Sequence, residues 1–593
     1  MNKILTTPKE IEMNERVLYA GNHYISLPEI STKDASVRSM NILTMSNKGL
    51  VEIKGMEALF KPEFHKDGRR LSIQHSNVIL ENYYIPVFCF ELEAGVQVRV
   101  KLYADLYEKG FVYEFESSHA IEARLLCSLD KLSRLRFNSH DSVFRKELKL
   151  DKWLGNPAVN ITSGNIGFSI AFGGDSEFGH RSIDGNNLAL KLACNDSNAF
   201  YITVNSDMDG ASTTLMHFRR KGYRGIYAEL STWLKSKSVE YDKDILLQRL
   251  LNENMFFNYF FAVGKDMESD RYAALTSRSP RYYVSGAFWE RDSFLWSFPA
   301  IKLVDSEFYS SLCRDMILMH AKNAGDHAHY IDGTVLYPGF ELDEAASYFI
   351  LLGSMEDIDD DILRALEAVF KRIEREYDCD TGLYRTFLMP SDDPSEYPFL
   401  TIDNVILWSG LKNLMRLYQR MGLAEKAQLI GSRIEGIYNG IYNNLVKNID
   451  GTGIFVWSCD GIGGFSLYND PPGNLGLLHY YGFIDCQEEL FRNTIEYYYS
   501  NKYKYYCESS KINELACDHH PNTPSGLGLC GSILNPVLQD RAIGWLKAAN
   551  MDFGLLCESF DRETGEAKTG VGFATGSGYL AFALYHVLIQ ARK

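Results

Sequence analysis

The stretch KDILLQRLLNENMFFNYFFAVG, residues 243–264, places its apolar side chains at the i, i+3, i+4 and i+7 spacing of an amphipathic helix. Residues 221–237 have the same period, and similar segments follow to the end of the chain. Upstream, residues 51–60 and 198–207 alternate apolar and polar side chains over short spans, as strands do. The hydrophobic period therefore changes from that of strands to that of helices near residue 220.

The domain organisation follows from this change. A chain of 593 residues is too long for one hydrophobic core, so we expect at least two domains. The short strands predict an antiparallel β-sandwich over residues 1–220, followed by a helical linker over 221–241. Residues 242–593 predict roughly ten to twelve helices, separated by loops rich in Gly, Pro, Asp and Tyr. Because no strict sequence repeat is present, we expect helical hairpins closed into an α/α barrel rather than a solenoid.

Composition restricts the classes of partner. The formal net charge of −16 disfavours nucleic acid and anionic membrane surfaces, because both require a basic face. No run of about 18 apolar residues is present to span a membrane, and the first 20 residues lack the apolar core of a leader. The 11 Cys form no CxxC pair, which favours reduced thiols. We therefore expect a cytoplasmic protein that binds a neutral small molecule or oligosaccharide; the sequence does not predict its oligomeric state.

Three segments set acidic residues against apolar runs. Residues 286–301, GAFWERDSFLWSFPAI, contain Glu290, Arg291 and Asp292, which fit either an ion pair that caps a buried helix or groups that face a cavity. Residues 337–354 carry acidic side chains at the start of an apolar run, where the helix dipole favours them. Glu558 follows a third apolar run and precedes a turn.

Together these carboxylates meet the requirements of glycoside hydrolysis. One carboxylic acid must protonate the departing oxygen, and a second carboxylate must activate water or attack the sugar carbon. Glu344 and Glu558 are far apart in sequence, so only a closed fold can bring them to one substrate.

At these residues the sequence resembles the six-hairpin glycosidases, and most of all the bacterial glucoamylases of glycoside hydrolase family fifteen and related α-glucosidases. The segment FWERDSFLW, residues 288–296, resembles the Arg-Asp motif that holds hydroxyls of the terminal glucose. FELDEAASYFIL, residues 340–351, resembles the segment with the general acid, and CESFDRETGE, residues 557–566, resembles the motif with the base. The resemblance implies an N-terminal antiparallel β-sandwich and a C-terminal all-α (α/α)6 barrel.

The same resemblance implies a role for each matched residue. Glu344 is the expected general acid, with Asp343 and Glu341 as open alternatives, and Glu558 is the expected base of a single displacement with inversion. Arg291 and Asp292 are expected to hold sugar hydroxyls. Ser559 stands where the family often has Gln, and residues 573–580, FATGSGYL, lack the Trp usual in that passage.

Further polar and aromatic residues are candidates with two interpretations each. His327, His329, Tyr330 and Asp332 precede the acid segment; with no third metal ligand evident, we expect a hydrogen-bonded loop or a sugar contact and no metal site. Asp403 is expected to be a helix N-cap rather than to face the cavity. Four tryptophans either stack on sugars or belong to the core, namely Trp289, Trp296, Trp408 and Trp457. The loop with Asp518, His519 and His520 is a candidate lid.

The sequence thus predicts an exo-acting, inverting glycoside hydrolase that cleaves α-glucosidic bonds from nonreducing ends without a cofactor. The predicted substrate contacts are Arg291, Asp292, Trp289, Asp343, Tyr330, Asp332 and Trp408. The alternatives are a disaccharide phosphorylase, another sugar-active α/α-barrel enzyme such as a lyase or epimerase, and a non-catalytic carbohydrate-binding barrel.

Overall fold

The computed structural model describes residues 17–175, 178–182 and 187–590. The prediction about a leader concerned the first 20 residues, and residues 1–16 lie outside the described residues. The described chain divides into two compact units: residues up to Ser238 together with Phe260–Ala287, and Val239–Tyr259 together with residues from Phe288 onward. The predicted boundaries at residues 220 and 241 stay predictions.

The first unit is built from antiparallel strands, as the alternating pattern predicts. Its strands are β1 (Val17–Gly21), β2 (Ile25–Ser31), β3 (Val37–Thr44), β4 (Gly49–Lys54), β5 (Phe60–Lys66), β6 (Arg69–Leu71), β7 (Ile73–Glu81), β8 (Ile85–Leu92), β9 (Gln97–Ala104), β10 (Gly110–Ser117), β11 (Ile121–Cys127), β12 (Lys131–Leu135), β13 (Ser139–Ser142), β14 (Arg145–Leu150), β15 (Pro157–Ser163), β16 (Ile166–Gly174), β17 (Phe178–Ser182), β18 (Leu188–Cys194), β19 (Ser197–Asn205), β20 (Val263–Lys265) and β21 (Tyr272–Ala274).

Two large sheets account for most of these strands. One has the order β13-β12-β4-β3-β5-β11-β18-β17, with β1, β2 and β6 at its side, and the other has the order β14-β15-β16-β19-β10-β9-β8-β7. Aromatic rings of the two sheets meet, since Phe60 lies 5.6 Å from Phe111 and Phe64 lies 6.1 Å from Phe115 between ring centres. A helix, α1 (Met208–Lys237), packs on the second sheet against β16 and β19. It begins upstream of the predicted linker and runs into it.

The second unit is mainly helical, as the 3.6-residue period predicts. The remaining helices of the chain are α2 (Ile245–Phe261), α3 (Phe298–Val304), α4 (Ser306–His320), α5 (Leu342–Leu352), α6 (Asp360–Ile373), α7 (Thr401–Arg420), α8 (Ala424–Asn444), α9 (Glu489–Tyr498), α10 (Gly526–Leu534), α11 (Gln539–Ala548) and α12 (Ala574–Leu588). Short strands lie between them: β22 (Asp326–His329), β23 (Val335–Phe340), β24 (Phe399–Leu400), β25 (Val446–Ile449), β26 (Thr452–Phe455), β27 (Ser458–Cys459), β28 (Phe465–Ser466), β29 (Ser559–Phe560) and β30 (Ala567–Thr569).

The helices pack against neighbours in sequence, and the last helix returns to the first ones of this unit. α5 packs on α7, α7 on α8, and α10 on both α11 and α12. α12 also packs on α3, so the end of the chain lies beside residues about 280 positions earlier in the same unit. α10 is buried along its whole length, as a helix enclosed by others should be. Among the described residues, no helix combines the length and the apolar character that a membrane crossing requires.

Candidate active site

The segment 290–292 begins a buried helical stretch of unusual pitch. A π-helix, Asp292–Ser297, follows it and passes directly into α3. The indole of Trp296 stacks on the ring of Tyr579 in α12, with 5.6 Å between ring centres and 7° between planes. The guanidinium of Arg291 also lies over the indole of Trp296, at 5.6 Å from the ring centre. π-helical turns of this kind are frequent at functional sites.

Glu290 links the segment 290–292 to two neighbouring elements through its carboxylate. Its carboxylate accepts hydrogen bonds from the backbone N–H of Gly325 at 2.7 Å and from the hydroxyl of Tyr348 at 2.6 Å. Burial raises the pKa of Glu290 to about 8. Because both oxygens are engaged by α5 and by the loop before β22, Glu290 fixes these two elements to the segment 290–292.

Arg291 is the cation at the centre of the cluster and is only 3% exposed. Nη1 lies 2.9 Å from Glu341 and 3.1 Å from Asp343, and Nη2 lies 2.6 Å from Asp392 and 3.4 Å from Glu344. The segments 288–296 and 340–351 therefore meet at Arg291. The guanidinium donors face carboxylates, and a direct contact of Arg291 with sugar hydroxyls stays a prediction.

The carboxylates of α5 share this cation and cannot all be charged at low energetic cost. Burial raises the pKa of Glu344 well above its usual range, and the charges of Glu341 and Asp343 add to the effect against the opposing charge of Arg291. Burial likewise raises the pKa of Glu341 to about 7. The backbone N–H of Arg291 donates to Glu344 at 2.6 Å, while one side-chain oxygen of Glu344 accepts no hydrogen bond from a described residue. Glu344 thus has the raised pKa that a general acid needs.

Asp292 connects the cluster with the third motif. Its carboxylate accepts a hydrogen bond of 2.9 Å from the hydroxyl of Thr575, at the start of α12. Burial raises its pKa to about 7, Arg291 opposes the rise, and the negative charges of Asp392 and Glu558 contribute to it. Asp292 therefore lies within electrostatic reach of both Arg291 and Glu558.

Glu558 is half-buried and is held by its backbone rather than by a helix. Its N–H donates to the carbonyl of Thr569 at 3.1 Å, and its carbonyl accepts from the N–H of Gly526 at 2.7 Å. Gly570 lies against its side chain with φ +64°, and a Cβ at 570 would come within 2.3 Å of the Cβ of Glu558. Only glycine fits there, which explains part of the Gly-rich passage after the motif.

A group with metal-ligand spacing is present next to Arg291. Ligand atoms of His327, Glu341 and Asp392 all lie within 4.8 Å of one another. Arg291 already contacts both carboxylates, and His327 Nδ1 lies 2.5 Å from Glu341. Burial lowers the pKa of His327, but the hydrogen bond to Glu341 and the charge of Asp392 outweigh burial and raise it. The guanidinium of Arg291 therefore already supplies positive charge to the two carboxylates that a metal ion would need here.

The two histidines of the predicted pair do not face one ligand. His329 Nδ1 lies 3.0 Å from Nδ1 of His320, and its Nε2 lies 3.1 Å from the carbonyl of Asn323. Burial lowers the pKa of His329 to about 4, so His329 is a neutral core residue. Only His327 of the pair reaches the cluster.

The prediction that Asp403 caps a helix is wrong. The N-cap of α7 is Leu400, and Asp403 lies within the first turn of the helix. Neither carboxylate oxygen of Asp403 has a hydrogen-bond partner among the described residues. Burial raises its pKa well above the usual range, with contributions from the charges of Asp343 and Glu341. A buried acid whose pKa is raised by burial therefore stands here instead of a cap.

Two members of the cluster were missed by the sequence analysis. Asp392 contacts Arg291 from an irregular loop and has a φ of +68°, and its carboxylate is 38% exposed. Asp470 is buried in another irregular loop; burial raises its pKa to about 7, against the charge of Arg291. Neither residue stands in a periodic segment, and the only signal was Asp beside Pro in MPSDDPSEYP and YNDPPGN. The candidate lid contacts the first of these loops, since His519 Nδ1 lies 2.8 Å from Asp393.

Three further residues predicted to contact substrate lie in two different places. Trp289 is buried with its indole 5.8 Å from the His327 ring, beside the cluster. Tyr330 and Asp332 form the turn between β22 and β23, where Asp332 accepts hydrogen bonds from Thr334. Their roles in substrate binding stay predictions.

Trp408 lies farther along α7 among aromatic side chains. Its indole packs edge-on against Phe483 at 5.1 Å and is 6.5 Å from the ring of Tyr438 in α8. The ammonium group of Lys412 lies over the indole at 3.1 Å. These contacts are those of a residue between helices, and its predicted contact with substrate stays a prediction.

Known proteins resemble this chain in fold, and one family model matches part of its sequence. Residues 364–579 match the family model described as metal-independent alpha-mannosidase (GH125). A structure of such a mannosidase from Streptococcus pneumoniae with alpha-1,6-mannobiose is similar at 16% identity and TM-score 0.54, over 60% of this chain and 98% of that one. A bacterial glucoamylase complexed with acarbose is similar at 11% identity and TM-score 0.63, over 100% and 97%.

A putative kojibiose phosphorylase from the human microbiome is similar at 10% identity and TM-score 0.57, over 98% of this chain and 88% of that one. None of the curated proteins matches the chain. Together these findings support a glycoside-hydrolase-like fold of the six-hairpin type, with an antiparallel β-rich domain followed by a helical domain.

Proposed function

We propose that this chain is an exo-acting, inverting glycoside hydrolase that removes single sugars from the nonreducing ends of α-linked oligosaccharides. The observation that carries the proposal is the convergence of three separate acidic motifs. Arg291 contacts Glu341, Asp343 and Glu344 directly, while Asp292 accepts a hydrogen bond from Thr575, in the passage that follows Glu558 in sequence. The return of α12 to α3 supports closure of the helices into an (α/α)6 barrel.

Glu344 is the proposed general acid. Its raised pKa keeps a proton on the carboxyl near neutral pH, and that proton passes to the glycosidic oxygen as the bond to the sugar breaks. Asp343 and Glu341 remain alternatives because both contact the same guanidinium.

Glu558 is the proposed general base. It would take a proton from a water that attacks the anomeric carbon from the opposite face, which inverts the configuration. Its half-buried side chain lies against Gly570, and the backbone of Glu558 is held by two hydrogen bonds. Asp292, bonded to Thr575, is proposed to fix hydroxyls of the terminal sugar together with Arg291.

Two sugars are candidates for that terminal position. The resemblance of the three motifs to glucoamylases favours glucose, and the family match over residues 364–579, which includes Glu558, favours mannose. The two sugars differ in the configuration of one hydroxyl at C2, so a substrate panel distinguishes them.

The experiment that tests the proposal measures turnover and product configuration. 4-Nitrophenyl α-glucoside, 4-nitrophenyl α-mannoside, maltotriose and α-1,6-mannobiose are incubated with the protein, with and without phosphate. Proton NMR should show the β-anomer as the first product. An initial α-anomer would contradict inversion, and phosphate-dependent formation of a sugar 1-phosphate would indicate a phosphorylase.

Variants test the two carboxylates separately. Glu558→Gln should lower kcat by about 10²–10⁴-fold on every substrate, whereas the matched control Glu563→Gln, an exposed residue of the same loop, should not. Among Glu344→Gln, Asp343→Asn and Glu341→Gln, loss of the true acid should spare a 2,4-dinitrophenyl glycoside, because that leaving group needs no proton. Normal turnover of Glu558→Gln would show that the base is another residue.

A further inference from the structure

A second concave region lies beside the acidic cluster in the helical unit. It is a pocket of about 550 Å³, within the range of roughly 300–1,000 Å³ common for small-molecule sites. Five aromatic residues line it: Trp457, Tyr468, Tyr497, Tyr503 and Tyr505. None of the acidic residues that contact Arg291 lines this pocket, so it is distinct from the cluster described above.

The aromatic rings are held in fixed positions. Tyr468 and Tyr505 meet edge-on at 5.2 Å, and Tyr503 and Tyr505 lie 5.6 Å apart. The hydroxyl of Tyr505 donates to Asp518, and the hydroxyl of Tyr503 accepts a hydrogen bond from a backbone N–H at 2.8 Å. A rigid wall of rings presents apolar faces at little conformational cost on binding, which suits the apolar faces of sugar rings.

Polar groups of the pocket are available to a ligand. The indole N–H of Trp457 is buried and has no acceptor among the described residues. Lys502 and Glu396 line the pocket with exposed side chains, and neither forms an ion pair with any residue in the described ranges. One donor buried without an acceptor and one charge of each sign match a neutral, hydroxyl-rich ligand better than an anion.

The loop that carries Asp392 connects the pocket with the acidic cluster. Met389 and Pro394 line the pocket, and Asp392, which stands between them in sequence, lies 2.6 Å from Arg291. Tyr468 donates to Asp470 at 2.8 Å and accepts from the N–H of Asp518 at 3.2 Å. The loop of Asp392 therefore contributes both to the pocket and to the cluster around Arg291.

We propose that this pocket binds the part of an oligosaccharide chain that lies beyond the bond to be cleaved. The inference rests on the proposed function, and it adds that the substrate is an oligosaccharide of several units rather than a disaccharide. The rings would pack on sugar faces, and the N–H of Trp457 would donate to a sugar oxygen.

Chain-length dependence tests this inference. Maltose, maltotriose and maltotetraose, or the corresponding α-1,6-mannosides if mannose is the accepted sugar, are compared with the 4-nitrophenyl monoglycoside. KM should fall with chain length for the wild type. Tyr497→Ala and Trp457→Phe should raise KM for the tetrasaccharide by about tenfold, with kcat and the constants for the monoglycoside unchanged.

Controls separate a sugar contact from a structural role. Tyr438→Ala removes an exposed tyrosine outside the pocket and should leave KM for the tetrasaccharide unchanged. The exposed pair Lys502→Ala and Glu396→Gln tests the pocket without altering buried packing. If the pocket variants lower kcat on the monoglycoside as much as on the tetrasaccharide, or change neither, the inference is wrong.

A binding measurement keeps this inference separate from the proposed function. Glu558→Gln is titrated calorimetrically with the tetrasaccharide, alone and combined with Tyr497→Ala. Binding that weakens with Tyr497→Ala supports the pocket even if no glycoside is turned over. Absence of binding to either tetrasaccharide, or binding unaffected by Tyr497→Ala, overturns it.

Discussion

Buried carboxylates are treated differently in the two compact units. In the β-rich unit, Glu114 lies 3.2 Å from Lys101, and Asp105 lies 2.6 Å from Lys221. In the helical unit, the two Nη atoms of Arg291 lie within 3.4 Å of four carboxylates, and Nε lies 3.9 Å from a fifth, that of Asp292. Lys101 also contacts Glu116 and Lys221 also contacts Glu229, so each of these lysines is shared by two acids. Burial of more acids around one cation leaves a larger excess of negative charge, which protons can neutralise.

The excess of buried carboxylates over cations affects the pKa values of these groups. Burial raises the pKa of Glu114 as well, but the charge of Lys101, which Glu114 and Glu116 share, opposes the rise. Around Arg291, burial raises the pKa of both Asp292 and Glu341 to about 7. The helical unit thus contains a store of titratable protons near neutral pH, which a reaction that moves protons can use.

The largest expected difference between the units comes from removing the cation. Arg291→Met leaves four carboxylates without their partner and should lower the free energy of unfolding by about 3–5 kcal/mol at pH 7.5, with loss of activity. The matched variant Lys101→Met leaves Glu114 with the Tyr103 hydroxyl at 2.8 Å and should lower it by about 1–3 kcal/mol. Urea unfolding of both variants measures the difference.

The loss in Arg291→Met should shrink at pH 5, because the orphaned carboxylates then take up protons. Equal losses for the two variants at both pH values would show that the four carboxylates are compensated in another way.

A smaller effect is expected on the pH dependence of catalysis. An acid catalyst must be protonated, so kcat/KM on a disaccharide should fall as pH rises through the pKa of Glu344. The charge of Glu341 helps to raise that pKa, and Glu341→Gln should therefore move the alkaline limb by about one unit to lower pH. The exposed Glu356→Gln serves as control and should leave the limb in place. A limb that stays in place or moves upward would show that it does not report the titration of Glu344. Loss of turnover on the disaccharide with normal turnover of a 2,4-dinitrophenyl glycoside would identify Glu341 as the acid.

The smallest effect is expected at Trp408, away from the excess charge. Trp408→Leu removes packing against Phe483 and Tyr438 and should lower the free energy of unfolding by about 2 kcal/mol, with KM unchanged. Trp289→Leu, beside His327, should instead raise KM for the monoglycoside. A rise in KM for Trp408→Leu without loss of stability would favour the predicted substrate contact.

Periodicity was sufficient to predict the two kinds of architecture, because the strands of the first unit and the helices of the second each bury one face. The sequence marked residues 288–296 and 340–351 as charged segments inside apolar runs, but it did not predict that Arg291 contacts Glu341, Asp343 and Glu344.

The remainder of the cluster depends on loops. Asp392 and Asp470 stand in segments without a period, and their positions follow from turns that only the folded chain defines. The expectation for Asp403 failed for a related reason. A cap was inferred from local helix physics, but burial in the folded chain, with added contributions from the charges of Asp343 and Glu341, raises the pKa of that carboxyl.

The π-helix at Asp292–Ser297 restricts how the length of the chain can vary. Its hydrogen bonds join residues i and i+5, as between Ser293 and Phe298, so the turn holds one residue more than an α-helical turn. Deletion of a single residue there would restore the ordinary pitch and rotate Arg291 by about 100° relative to α3. A homologue with a one-residue gap at this place should therefore have lost the guanidinium from among its four carboxylates, even where the Glu-Arg-Asp letters are retained.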